Sequence, residues 1–193
     1  MVERLSSEWR EFATMRIDEK LFALAHAVGR AALARRVRIA TAESCTGGLI
    51  AGVITAVAGS SDWFECGYVT YSNAAKMRDL GVGAGTLESF GAVSEQTVRE
   101  MAEGALRVSG ATVALAVSGI AGPDGGTAEK PVGLVWFCAA ARAGAAIDII
   151  AEELRFDGDR AAIRHRAVQH ALRLILRLDL PVRHDVAVHA ARP

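Results

Sequence analysis

Apolar side chains recur at helical spacing in several stretches, and short dense apolar runs separate them. From Glu19 to Arg35, Leu21, Leu24, Val28 and Ala32 follow a helical period. Leu49, Ile50, Val53, Ile54 and Val57 make a second stripe, which predicts a helix from Thr46 to Ala58 ended by Gly59-Ser60-Ser61. Ser72 to Leu80 predicts a short helix closed by Gly81, and Ser94 is a good N-cap for a helix turning Val98, Met101, Ala102 and Ala105 inward. Asp159 opens a last helix, with Ile163, Ala167, Ala171 and Leu174 on its apolar face and Arg166, His170, Arg173 and Arg177 on its solvated face; Pro181 stops it.

Five runs read as strands: Val37–Ala42, Phe64–Tyr71, Ala111–Val117, Val132–Ala141 and Ala146–Phe156. The third is apolar on both faces and belongs in the middle of a sheet. The last two are joined by a turn near Gly144, short enough for an antiparallel hairpin. The alternation of helices and strands predicts a three-layer α/β/α sandwich around a mixed, mostly parallel sheet of about five strands. Residues 1–17 read as an N-terminal extension, 18–180 as one domain and 181–193 as a tail.

Composition narrows the function more than the fold. The 193 residues include 22 Lys+Arg and 22 Asp+Glu, so the formal net charge is +0. Binding to nucleic acid through overall charge needs a basic excess, and there is none. Cys45, Cys66 and Cys138 form no C-x-x-C pair, and the N-terminus has no apolar leader. Reduced thiols, no metal site, no membrane span and a cytoplasmic location are therefore expected.

In open α/β sheets, ligands bind beyond the carboxyl ends of the strands. Three polar clusters fall there. The first, Thr41 to Gly48, offers Glu43, Ser44, Thr46 and two glycines, Gly47 and Gly48, at the start of a helix. Its plainer alternative is an N-cap made by Ser44 or Thr46. The second, Thr70 to Lys76, offers Tyr71, Ser72, Asn73 and a lysine one turn inside a helix, where its amine can reach back over the helix start. The alternative is an ordinary exposed lysine. The third runs from Ser118 to Gly126, with Gly119, Gly122, Asp124, Gly125 and Gly126. More glycines than one turn requires suit a backbone wrapped around an anion or a carbonyl oxygen, the alternative being a long surface loop.

A serine, a lysine, a tyrosine and free N–H groups make a hydrolase set. None of the five histidines lies in the three clusters, so a serine–lysine pair replaces the usual histidine base. Lys76 can take the proton of Ser44 at neutral pH only if its pKa falls from about 10.4 to near neutrality, roughly 4 kcal/mol of differential interaction that burial can supply. Tyr71 is placed to relay or orient that proton. Cys45 reads as a small buried side chain, with a nucleophilic role as the alternative.

The segments Thr41–Gly48, Val69–Lys76, Gly91–Ser94, Ser118–Gly126 and Lys130–Gly133, in this order, resemble the CinA C-terminal domain family over about residues 20–178. The family's longer members carry an additional N-terminal domain; this chain resembles the single-domain form, which includes nicotinamide-nucleotide amidohydrolases. The resemblance implies hydrolysis of the carboxamide of nicotinamide mononucleotide, with no cofactor. It puts the family's serine on Ser44, its lysine on Lys76 and its late arginine, in a Gly-Asp-Arg segment, on Arg160, a charge for the substrate phosphate. Two alternatives stand beside it: a non-catalytic nucleotide-binding module linked to competence or DNA damage, and a hydrolase of another amide. The hairpin supplies a sheet edge, and a homo-oligomer, a dimer first, is expected.

Overall fold

The computed structural model describes residues 18–181; the expectations for 1–17 and for 182–193 lie outside the described residues. In chain order the elements are α1 (Glu19–Arg35), β1 (Ile39–Glu43), α2 (Leu49–Thr55), a 3-10 turn (Ser60–Asp62), β2 (Phe64–Val69), α3 (Asn73–Leu80), α4 (Ala84–Phe90), α5 (Glu95–Ser109), β3 (Val113–Gly119), β4 (Leu134–Ala143), β5 (Ala146–Arg155) and α6 (Arg160–Arg177). The strands form one sheet in the order β2-β1-β3-β4-β5. β1 is parallel to both β2 and β3, whereas β4 is antiparallel to β3 and to β5. The expected three-layer architecture is what the chain adopts.

Each face of the sheet has its own core. On one, Ile39, Val113, Leu115, Val117 and Phe137 pack with Leu21 and Val28 of α1, Ile50 and Val53 of α2, and Ile163, Ala167 and Leu174 of α6. On the other, the strands present small side chains, Ala42, Ala114, Ala116, Cys138 and Ala140, beneath Val98, Met101, Ala102 and Ala105 of α5 and Leu80 of α3. Alanine on that face lets the α5 backbone come close, since interior density leaves no room for both a bulky strand and a near helix. β1 and β3 are buried along their length, as the apolar run in β3 predicts, while edge strand β2 alternates partly buried and exposed.

The crossover from β1 through α2 to β2 lies on one face. The return from β2 through α3, α4 and α5 to β3 lies on the other. Chain direction therefore diverges between β1 and β3, which opens a crevice beyond their carboxyl ends.

Three expectations are corrected. The sequence pattern does not predict helix α4: Gly83-Ala84-Gly85 has low helix propensity, its N-cap Gly83 makes no side-chain bond, and Leu87 is its one buried residue. The predicted Thr46–Ala58 helix is shorter, Leu49–Thr55, because the backbone turns through Gly47 and Gly48 at positive φ before the helix starts. His170 is not on the solvated face of α6. Its ring packs 4.7 Å from that of Phe137 and pairs with Glu152, and burial lowers its pKa despite that carboxylate.

Candidate active site

β2, β1 and β3 run side by side in one direction, so the residues that follow them meet at one edge. In register, Glu43 faces Val69 on one neighbour and Val117 on the other. The N–H of Ser44 donates to the Val117 carbonyl at 2.9 Å, and the N–H of Thr70 donates to that of Glu43 at 2.9 Å. The ladder thus continues past the strand ends and fixes the backbone on which Ser44 and its neighbours stand.

Lys76 sits in the first turn of α3, whose N-cap Ser72 accepts the Ala75 N–H at 3.1 Å. Its side chain runs inward, 1% exposed. Its amine donates to Ser44 Oγ at 3.0 Å, to the Thr70 carbonyl at 2.8 Å and to the Tyr71 carbonyl at 3.3 Å. Among the described residues no carboxylate accepts from it. Burial pushes its pKa down to about 8, because removing water disfavours the ammonium and only neutral acceptors replace that water. The exposed-lysine alternative is excluded. Burial pushes the adjacent Cys45 thiol up to about 12, so Cys45 stays protonated and unreactive at neutral pH.

Neither Ser44 nor Thr46 caps α2. The N-cap position is Gly48, and the acceptor for the helix start comes from Glu43, which is fully buried at the end of β1. Its Oε2 accepts the N–H groups of Gly48 and Ile50, both at 3.0 Å, and its Oε1 accepts that of Ala51 at 2.8 Å. The Thr41 hydroxyl donates to Oε1 at 3.4 Å. A carboxylate at a helix N-terminus answers both its unpaired donors and its dipole. Gly48 makes this possible: its φ of +90° folds the chain back over Glu43, and a side chain there would be strained. Glu43 is thus committed to the turn that carries Ser44.

Arg160 and Arg164, one turn apart at the start of α6, close the site from above. Arg160 donates to the Gly122 carbonyl at 2.9 Å and to the Tyr71 hydroxyl at 2.9 Å. The Tyr71 ring is 58% exposed; its hydroxyl meets Arg160, while its link to Lys76 is through the main chain. Arg164 donates to the carbonyls of Cys45 at 3.1 Å and Thr46 at 2.8 Å. Sequence reading overlooked Arg164, although its spacing from Arg160 puts both on one helix face.

The third cluster divides. The Ser118 hydroxyl is turned to the Ala92 carbonyl at 2.7 Å, and Gly119 ends β3. Gly122 is buried beside Arg160, whereas Asp124, Gly125 and Gly126 are exposed at the rim, as are Ser72 and Asn73 on the side of α3. Two hydroxyls at the site, Thr46 Oγ1 and Thr70 Oγ1, are buried without a hydrogen-bond partner among the described residues. Among those residues no group of three or more His, Cys, Asp or Glu is placed to hold a metal ion, and no helix is long and apolar enough to cross a membrane.

The sequence profile of the CinA C-terminal domain family matches residues 21–178. A nicotinamide-nucleotide amidohydrolase PncC of Enterobacter agglomerans is 53% identical over 160 residues, 83% of this chain and 96% of that protein. The protein of the same name in Escherichia coli K12 is 52% identical over 158 residues, 82% of this chain and 94% of the other. Among solved structures, the competence/damage inducible protein CihA from Agrobacterium tumefaciens superposes with a TM-score of 0.80 at 46% identity, covering 84% of this chain and 98% of that one. The chain belongs to the CinA C-terminal domain family.

Proposed function

We propose that this member of the family hydrolyses the carboxamide of nicotinamide mononucleotide to nicotinate mononucleotide and ammonia, with Ser44 as nucleophile and Lys76 as its base. The buried contact of 3.0 Å between the Lys76 amine and Ser44 Oγ carries the reading. The names borne by the closely similar relatives support the substrate.

The neutral Lys76 amine accepts the Ser44 proton as Oγ bonds to the amide carbon, and the carbonyl electron pair moves onto oxygen. When that pair returns, the C–N bond breaks and the Lys76 ammonium gives its proton to the departing nitrogen, which leaves as ammonia. Water then attacks the ester, its proton passing to Lys76. The C–Oγ bond breaks, and Ser44 recovers its proton. Lys76 cycles between its two forms, and a pKa of about 8 keeps both within reach near neutral pH.

Arg160 supplies the cation for the substrate phosphate. Gly122, Asp124, Gly125 and Gly126 form one wall around the nucleotide, and Ser72 and Asn73 form the other. Thr46, Gly47 and Gly48 line the serine turn. The reading includes a cytoplasmic enzyme, in keeping with three free thiols, and a homodimer paired through a sheet edge, β2 or β5.

The deciding experiment is ammonia release from nicotinamide mononucleotide by purified protein and by Ser44→Ala. Turnover by the first and none by a folded Ser44→Ala supports the reading. Full activity in the variant removes Ser44 from the mechanism, and tight nucleotide binding without product over hours makes the protein a binding module.

A further inference from the structure

We infer that the oxyanion of the tetrahedral intermediate is received by the backbone N–H groups of Cys45 and Thr46, and that Arg164 is the positioning residue that holds the Thr46 N–H there. The inference rests on the amide hydrolysis proposed above and names a part of the site that neither Ser44 nor Lys76 supplies.

Most donors of the β1–α2 turn are already committed. The Ser44 N–H goes to Val117, and the Gly47 N–H goes to the Ser44 carbonyl at 3.0 Å. Those of Gly48, Ile50 and Ala51 go to the Glu43 carboxylate, and that of Leu49 to the Thr46 carbonyl at 3.4 Å. Among the donors of this turn, only the N–H groups of Cys45 and Thr46 meet no acceptor in another of the described residues; that of Cys45 lies against its own thiol, a weak acceptor. Both residues are buried, Cys45 at 5% exposure and Thr46 at 0%. A buried N–H without an acceptor costs about 1–3 kcal/mol. Two in succession, immediately after the nucleophile, are explained if an acceptor arrives with the substrate. The Thr46 hydroxyl, also buried and without a partner among the described residues, faces the same need.

The carbonyls of these two residues settle the role of Arg164. In a trans peptide the N–H lies opposite the preceding carbonyl. The Cys45 carbonyl accepts from Arg164 Nε, so the N–H of Thr46 faces away from the guanidinium. The Thr46 carbonyl accepts from the NH2 group of the same fork, which fixes the next peptide plane as well, while the plane of the Cys45 N–H is held by the Gly47 N–H on the Ser44 carbonyl. The fit is close: a Cβ on Gly47 would stand 3.3 Å from that nitrogen. The glycine loop is the weaker source of donors. Its Ile120 N–H is already given to the Leu134 carbonyl, and Pro123 to Gly126 are exposed, where water weakens any oxyanion contact; the N–H groups of Ala121 and Gly122 are buried and also uncommitted, but they do not follow the nucleophile in the chain as Cys45 and Thr46 do.

The test compares wild type with Arg164→Lys on nicotinamide mononucleotide and on its thiocarboxamide analogue, whose larger, softer sulfur accepts N–H hydrogen bonds poorly. Removing one oxyanion donor costs about 10²–10³-fold in kcat. Arg164→Lys, which keeps the charge and loses the fork, is therefore expected to lower kcat for the carboxamide by about 10²-fold, with KM within about threefold. The preference for carboxamide over thiocarboxamide shrinks in parallel, which general loosening would not produce. Wild-type turnover with an unchanged kcat in Arg164→Lys, or a change in KM alone, overturns the role of Arg164. No wild-type turnover at all ends the amidase reading and this inference with it.

If Arg164→Lys does not fold, amide hydrogen exchange of the wild type, free and phosphonylated on Ser44 by a fluorophosphonate, decides. In that reaction Oγ bonds to phosphorus, fluoride leaves and the proton passes to Lys76. Slower exchange at Cys45 and Thr46 in the adduct is expected; unchanged exchange at both overturns the assignment.

Discussion

The turn after β1 and the loop after β3 leave the same edge of the sheet and are both rich in glycine, yet they are built in opposite ways. In the turn, a buried carboxylate accepts three N–H groups, a guanidinium donates to two carbonyls, and the Val117 carbonyl accepts the N–H of Ser44. In the loop, Arg160 holds Gly122, a local bond joins Thr127 to Lys130, and Pro123 to Glu129 are exposed. Bond making requires atoms held within a fraction of an ångström, and on the proposed mechanism the turn is built to hold them. Recognition of a flexible nucleotide, the part proposed for the loop, tolerates adjustment, and the loop permits it. Substitutions in the turn should therefore act on kcat, and substitutions in the loop on KM.

The largest expected effect is that of Ser44→Ala, a loss of at least about 10⁴-fold in kcat. The thermal midpoint should stay within about 4 °C of wild type, because only a hydroxyl is lost. A residual rate above one-tenth of wild type would break the comparison, since the turn would then hold nothing reactive.

Lys76→Met is expected to match Ser44→Ala in rate, but with a gain in stability. A pKa lowered in the folded state means that the unfolded chain binds more protons between about pH 8 and the ordinary value of 10.5. Stability of the wild type therefore rises with pH across that window, and below it the folded protein carries the full cost of a buried ammonium, about 3 kcal/mol. Lys76→Met removes this cost together with three hydrogen bonds, so at pH 7 it should unfold at higher denaturant than wild type, by about 1–3 kcal/mol. The same pKa predicts that wild-type kcat/KM rises with pH to a plateau above about 8. A flat profile from pH 6 to 9 would remove Lys76 as the base.

Glu43→Gln comes next. One carboxylate oxygen becomes an NH2 group facing an N–H donor, so at least one bond is lost and two donors are left pointing at each other. The expected cost is about 2–3 kcal/mol in urea denaturation, with kcat lowered about 10- to 100-fold and KM nearly unchanged. A KM effect alone would mean that Glu43 touches substrate.

That contrast also marks how far the sequence could be read. Ser44 and Lys76 were legible because each stands in its own strand-to-helix junction, and parallel neighbours bring such junctions to one edge. The role of Glu43 was not legible: an acid beside a serine looks like a substrate contact until the turn folds back and gives it three amides. Arg164 was hidden by its setting in an arginine-rich helix, where the charge pattern does not tell which residues reach carbonyls in another element. The sequence suggests the Tyr71 hydroxyl as a proton relay beside the lysine, but that hydroxyl pairs with Arg160, 89 residues away, which depends on how α6 docks.

The smallest effect sharpens the comparison most, because it asks whether the loop can be disturbed without touching the chemistry. Gly125 has φ +89°, and a Cβ there would find its nearest neighbour, Ile120 Cγ2, at an ordinary 3.9 Å. Gly125→Ala therefore costs backbone strain of about 1 kcal/mol and no packing clash, lowering the thermal midpoint by about 2–4 °C. The strained loop adjusts around the nucleotide, so KM should rise about two- to fivefold with kcat within about twofold. Gly126→Ala is the harsher control: its Cβ would lie 2.7 Å from the Val132 backbone nitrogen, so the Pro131–Val132 segment must move. If Gly125→Ala lowers kcat tenfold while the protein stays folded, the loop shares in bond making, and the division between a rigid turn and an adaptable loop fails.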